Sequence, residues 1–130
     1  MTRRGRGERG AVLVEFAFVM PILVLFVFGI VEFGRGYNAR LELASAVREG
    51  ARAAAVGGTT VDVATVTQRT RDAAPGLTAT DISVTATLCA GTPVPVNAQV
   101  VATYPFHYDI PLLGSRTANL TAKAVMRCGG

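Results

Sequence analysis

The chain has 130 residues, half of them hydrophobic, with 13 basic and 9 acidic side chains, a formal net charge of +4, two cysteines and a single histidine. About 45 residues at the N-terminus read as one long helix, which leaves roughly 70 for a head and excludes more than one small soluble domain. The basic excess belongs to the first ten residues, which hold four of the 13 basic groups and one of the nine acidic; the remainder carries 9 against 8 and lacks the basic face that a nucleic-acid partner needs.

The chain opens with Arg3, Arg4, Arg6 and Arg9 against Glu8, broken by glycines, and then runs apolar from Gly10 to Val31. The stretch of about 21 residues after Gly10, at about 1.5 Å per helical residue, reaches across a hydrocarbon core of about 30 Å. Residues 11–31 are therefore a candidate membrane span, and the arginines in front of it hold the N-terminus on the cytoplasmic side and put the rest of the chain outside. An ordinary secretory signal fits poorly: its apolar region is about 7–15 residues and a small-x-small site should follow, where this chain has Val31-Glu32-Phe33-Gly34. Pro21 is tolerated in a membrane helix where neighbouring groups satisfy the freed carbonyl. Glu15 is the anomaly. A carboxylate costs about 2.5–3.5 kcal/mol at the centre of a bilayer and less near the interface, so it requires a snorkelling route or a partner.

Beyond Val31 the helical pattern continues. Tyr37, Leu41, Ala44, Val47 or Arg48, Ala51 and Ala55 recur at three- and four-residue steps, with Arg40, Glu42, Glu49 and Arg52 on other faces. Gly34 and Gly36 weaken the rod where it leaves the membrane and favour a bend there. Ala46, Gly50 and Ala54 form a small-xxx-small ladder that lets another backbone approach, either under the head's own sheet or on a neighbouring subunit. Gly57-Gly58 ends the rod. Thr59 or Thr60 then caps a shorter helix from Val61 to Ala74, with Val63, Val66, Thr70 and Ala73 inward and Asp62 in its first turn; Pro75-Gly76 closes it.

From Thr80 the period changes to two. Ile82, Val84, Ala86 and Leu88 face inward on a first strand; Ala98, Val100, Ala102, Tyr104 and Phe106 do so on a second over Val96–Phe106; Leu120, Ala122, Ala124 and Met126 do so on a third over Thr117–Arg127. Three antiparallel strands with one apolar face, covered by an amphipathic helix, make a small α+β head.

Cys89 and Cys128 both fall in the part placed outside the cytoplasm, where an even count reads as one disulfide, two buried thiols being the alternative. No histidine or further cysteine stands near either, so neither is a metal ligand. The bridge meets a geometric difficulty. In a simple meander the first and third strands lie about 9–10 Å apart, too far for a Cα separation below about 7 Å, and the two cysteines have opposite parity. One of them must lie past its strand end, or the first and third strands must be neighbours.

The segment Tyr104-Pro105-Phe106-His107-Tyr108-Asp109-Ile110-Pro111 reads as a proline-bounded aromatic loop, either packed under the head or offered as a contact surface. His107 with Asp109 and Ser115 has the residue types of a hydrolytic triad but neither a nucleophile elbow nor an oxyanion glycine, so no enzyme and no cofactor is expected. Asn119-Leu120-Thr121 matches a glycosylation sequon within a strand and carries no weight.

Gly10, the apolar Ala11 to Val14, Glu15-Phe16, the run through Pro21, Glu32-Phe33-Gly34-Arg35 and the alanine-rich Ala44–Ala55 with Arg48-Glu49-Gly50-Ala51-Arg52 together resemble the TadE-like proteins of tight-adherence (Flp) pilus systems, within the wider type IV pilin and pseudopilin group. Ala11 stands where many type IV pilins have Phe, and Phe16 and the long C-terminal half favour a minor pseudopilin over a short major pilin. The resemblance implies a leader over 1–10, cut by a prepilin peptidase between Gly10 and Ala11, a helix over 11–57 and an extracytoplasmic head over 58–130. It further implies other pilins and pseudopilins, an inner-membrane assembly platform with its secretion ATPase, and membrane lipid as partners. After such a cut Ala11 carries an α-amine of pKa about 7.7–8.0, mostly protonated at neutral pH. Glu15 of a neighbouring helix then pairs with that ammonium, cancels two charges that are each costly in lipid, and sets the stagger between subunits. The alternatives are an unprocessed, single-span membrane-anchored binding module of the cell envelope and a secreted domain cut by ordinary signal peptidase.

Overall fold

The computed structural model describes residues 7–90 and 95–129 of the chain. Arg3, Arg4 and Arg6, and the side chains of Glu8 and Arg9, lie outside the described residues. The architecture is α+β: helix α1 (Gly7–Val56), helix α2 (Val63–Asp72) and strands β1 (Ser83–Thr87), β2 (Asn97–Ile110) and β3 (Gly114–Arg127), with single 3-10 turns at Gly58–Thr60 and Ala79–Asp81. The sheet is a plain antiparallel meander of order β1-β2-β3.

Helix α1 is continuous for 50 residues, through Pro21, Gly34 and Gly36 alike. Its C-terminal half lies across β2 and β3, and α2 packs beside it and over β1, so one layer of helices covers one face of the sheet. The core between them is Ala39, Leu43, Ala46, Val47, Ala51 and Ala54 from α1, Val66 from α2, Ile82 ahead of β1, and Ala98, Val100 and Ala102 from the central strand. Small residues dominate because the layers are close. A Cβ placed on Gly50 would stand 2.1 Å from Thr70 Oγ1 and 3.5 Å from Val100 Cγ1. The small-residue ladder thus serves the head's own α2 and sheet, since Ala46 and Ala54 are fully buried in the same interface.

The alternation assigned to the three strands matches the face each side chain takes. Val84 and Ala86, then Tyr104 and Phe106, then Leu120, Ala122, Ala124 and Met126 pack against the core, while Ser83, Thr85, Thr87, Thr121 and Lys123 are exposed on the other side. On that outer face the Thr103 and Thr121 hydroxyls are 3.2 Å apart across the β2–β3 pair.

Four details differ from the expectations. Helix α2 begins at Val63 and is capped by Asp62, not by Thr59 or Thr60, because Gly58–Thr60 closes its own 3-10 turn in which Thr60 N–H and Oγ1 both donate to the Gly57 carbonyl. The Asp62 carboxylate accepts from Thr65 N–H at 2.8 Å. Hydrogen bonding from Thr65, through its side chain first and its backbone second, holds the Asp62 carboxyl below the usual aspartate range. With the helix starting there, Val63 sits in the first turn and is exposed, and only Val66 and Thr70 are fully buried.

The third and fourth differences concern the hairpin. The aromatic segment expected as a loop is strand: β2 continues through Pro105 to Ile110, and β3 starts at Gly114 to pair with it. A proline is tolerated because β1 begins only at Ser83, opposite Thr103, leaving that side of β2 beyond Thr103 as a free edge. The turn between them is short and apolar, and Leu112 adopts φ +72° while Gly114 takes φ +79°. An L-residue other than glycine pays about 1–2 kcal/mol for that left-handed region.

Candidate functional site

Gly10, Ala11 and Glu15 all lie on the first turns of α1, outside the head. Gly10 and Ala11 are exposed, and Glu15 stands four residues beyond Ala11, so one turn of helix, about 6 Å of rise, separates them on one face. Among the described residues no hydrogen bond or ion pair reaches Glu15; the single ion pair is Arg35 with Glu32.

Around Glu15 the helix is bare. The most apolar 18-residue window of α1 has a mean hydropathy of 2.7 and none of it is buried by the rest of the chain. Phe16, Phe18, Ile22, Phe26 and Ile30 are all more than half exposed. The same helix is therefore two objects in series. Residues from Ala39 onward spend their apolar face on their own sheet, whereas those before Val31 leave nearly all of theirs open to something outside the chain. By length and composition that open half is able to cross a membrane.

Where the two halves meet, a small cluster has formed that sequence reasoning quoted only as part of a motif. Arg35 Nη1 donates to Glu32 Oε1 at 2.7 Å, with Arg35 half exposed and Glu32 mostly covered, while Glu32 Oε2 is buried without a partner. The Arg35 guanidinium lies 5.8 Å from the centre of the Phe106 ring, and Phe106 in turn fits the gap left by Gly36, where a Cβ would be 3.4 Å from Phe106 Cε1. A groove lined by Gly29, Glu32, Phe33, Phe106, Tyr108 and Ile110 runs beside them. The signal that would have pointed here is an acid at the end of the apolar run followed by arginine at i+3, the spacing of a helical ion pair.

Cys89 and Cys128 occupy the other end of the head, where their sulfurs are bonded and their Cα atoms lie 5.6 Å apart. The meander is kept, and the geometric difficulty is resolved by the ends of the strands. Both cysteines stand just past their strands, after Thr87 and after Arg127, and Cys128 N–H donates to the Val96 carbonyl at 2.9 Å. From Ala11 to Val56 the helix rises about 65–70 Å, so the bridge and the Gly10–Glu15 segment are at opposite ends of the molecule.

The residues with triad chemistry are not arranged for it. His107 faces Thr117 and Asp109 faces Ser115 across the hairpin, and the Ser115 hydroxyl donates to the Asp109 carboxylate. The serine is engaged by the carboxylate and not by the imidazole, which is exposed, so the three groups do not stand in the serine–histidine–aspartate order of a triad. Among the described residues no group of three His, Cys, Asp or Glu is placed to hold a metal ion.

No match was found among curated proteins or among solved structures. A model of the family described as TadE-like protein matches residues 10–52, the segment that runs from Gly10 and Glu15 through the bare span to Arg52, and over this segment the chain is similar to that family.

Proposed function

We propose that the chain is a minor pseudopilin of a tight-adherence (Flp, type IV) pilus. In this reading residues 1–10 are a leader removed by a prepilin peptidase after Gly10, residues 11–57 are the helix that carries assembly, and residues 58–130 are an extracytoplasmic head. The observation that carries the reading is the bare first half of α1, apolar on every side and unburied. Such a surface needs lipid before assembly and neighbouring helices after it, which is the sequence of environments a pilus subunit passes through. The arginines at positions 3, 4, 6 and 9 put the leader in the cytoplasm, and the disulfide suits a head held in an oxidising compartment. The partners are the peptidase, other pilins and pseudopilins, the inner-membrane assembly platform and lipid.

Glu15, which has no hydrogen bond or ion pair among the described residues, has the role of pairing with the Ala11 ammonium of the next subunit. The pair explains why a carboxylate persists at a depth where it is otherwise costly.

The first residue of the protein made in its native host tests the processing step. Ala11 with a free amine is expected; an intact Met1 or Thr2 start would instead support the unprocessed membrane-anchored module, and a start beyond Phe33 a secreted domain. A second expectation concerns pairing. Glu15→Val should be cleaved nearly as well as the parent chain, since the cut lies before Ala11, yet should be depleted from sheared pilus fractions. Normal incorporation of that variant, measured by immunoblot of fibres against membranes, sinks the pairing role.

A further inference from the structure

The β2–β3 hairpin projects along α1 away from the core and towards the bare half of the helix. Phe106 packs at the level of Gly36, and Ile110 shares its groove with Gly29 and Phe33. From Gly36 to Gly29 the helix falls by about 10 Å, and from Phe106 to Ile110 the strand advances by about 13 Å, so the hairpin runs down α1 at a shallow angle and its turn lies beyond Ile110, level with the last apolar turns of the span.

The turn at that place has the wrong chemistry for water. Pro111-Leu112-Leu113-Gly114 carries no polar side chain, Leu112 is 88 % exposed and Leu113 65 %. A tight turn in solvent takes glycine, asparagine or aspartate at its left-handed positions; this one has Gly114 at φ +79° but leucine at the other, Leu112 at φ +72°. Above the tip the first cross-strand pair is polar, Asp109 with Ser115, whose hydroxyl donates to the carboxylate; the next is Tyr108 opposite Arg116, and on the helix Phe33 stacks on Tyr37 with ring centres 6.5 Å apart. Apolar side chains at the tip, then a polar pair, then aromatic and basic groups follow the order in which a bilayer passes from acyl chain to headgroup.

We propose that the hairpin tip is a second membrane contact, with Leu112 and Leu113 seated in the outer-leaflet interface of the bilayer that α1 spans. The occupant is phospholipid. The inference rests on the reading of residues 11–31 as a membrane span and adds a lipid-binding element to the head. The subunit then stands on the membrane at two points, the helix and the hairpin, and the groove between Phe33, Phe106 and Ile110 is closed by lipid from below.

Site-specific labelling tests it. The full chain is reconstituted into phosphatidylcholine vesicles, with a nitrobenzoxadiazole fluorophore attached at Leu113→Cys, at Phe26→Cys within the span, or at Thr59→Cys at the far end of the head. Non-reducing conditions keep the Cys89–Cys128 bond intact. With nitroxide-labelled phosphatidylcholine present, the labels at 113 and 26 are expected to emit to the blue and lose fluorescence, while the label at 59 does neither. A label at 113 that behaves like the one at 59, while that at 26 is quenched, overturns the tip contact and leaves the span standing. An unquenched label at 26 overturns the span, and the tip contact with it. A blue-shifted label at 113 that nitroxide lipid does not quench, and that reverts when the protein is diluted in lipid, assigns the tip to a second copy of the chain and overturns the lipid contact.

Discussion

Gly50→Ala is expected to destabilise the head by about 1–3 kcal/mol, the cost of overpacking a close helix contact, even though alanine is the better helix former by about 1 kcal/mol. The added methyl would stand 2.1 Å from Thr70 Oγ1, and that hydroxyl has little freedom to move, being fully buried and donating to the Val66 carbonyl at 2.8 Å. Turning the threonine exchanges the oxygen for a larger methyl in the same gap. Helix α2 must therefore shift away from α1, and Val100 loses its contact with both. In a head of this size, with about 5 kcal/mol to lose, that is a large fraction. Urea unfolding of the detergent-solubilised chain, followed by tyrosine fluorescence, measures it. Thr70→Ala alone costs the hydroxyl's hydrogen bond and leaves a small void, yet in combination it gives the Gly50→Ala methyl room. The double variant should accordingly be more stable than the sum of the singles by about 1 kcal/mol or more. Strict additivity would mean that α1 and α2 do not meet at this pair.

Removing the disulfide is the second change with a large expected effect. Cys89 and Cys128 are 39 positions apart, and opening a loop of that length raises the entropy of the unfolded chain by an amount worth about 2–4 kcal/mol. The bridge also ties the end of β3 to the exit of β1 across the start of β2, where Cys128 N–H meets the Val96 carbonyl. Cys89→Ser, Cys128→Ser and the double variant should lose the same stability, because each breaks the same bond, and a reducing agent should lower the parent chain to their level without affecting them. Unfolding midpoints unchanged by reduction would remove the bridge from the account of stability.

The elements that were legible in the sequence are those whose cause is local. The three-to-four-residue spacing from Tyr37 to Ala55 is enough for an amphipathic helix, and the two-residue alternation in Ile82–Leu88, Ala98–Phe106 and Leu120–Met126 is enough for the inward face of each strand. Where a local signal pointed the wrong way, a longer-range partner had overridden it. Pro105 and Pro111 read as the borders of a loop, but Pro105 lies where β2 has lost its neighbour on one side, and the strand passes through it to pair with Asn119. Thr60 has the chemistry of a cap and spends it on a 3-10 turn after Gly57, where its hydroxyl donates to the Gly57 carbonyl, leaving Asp62 to start α2. Gly50 was visible as one rung of a small-residue ladder, but its partner, Thr70 of α2, is twenty residues away and could be found only by folding the chain. The approach of Ile110 to Gly29 is of the same kind, because nothing in either segment names the other.

Helix α1 passes without a break from the bare span into the centre of the head's core, and at about 1.5 Å per residue its 50 residues make a rod of about 75 Å. Anchor and head therefore belong to one continuous helix, with no loop between them. A pull on the N-terminal end is delivered directly onto Leu43, Val47 and Ala51 beneath the sheet, and a rotation of the helix about its own axis swings the hairpin around it like the arm of a crank. Lifting such a subunit out of a bilayer moves the head by the same distance and through the same angle as the anchor, so where the head points in an assembly is decided by how neighbouring helices seat the first half of the rod.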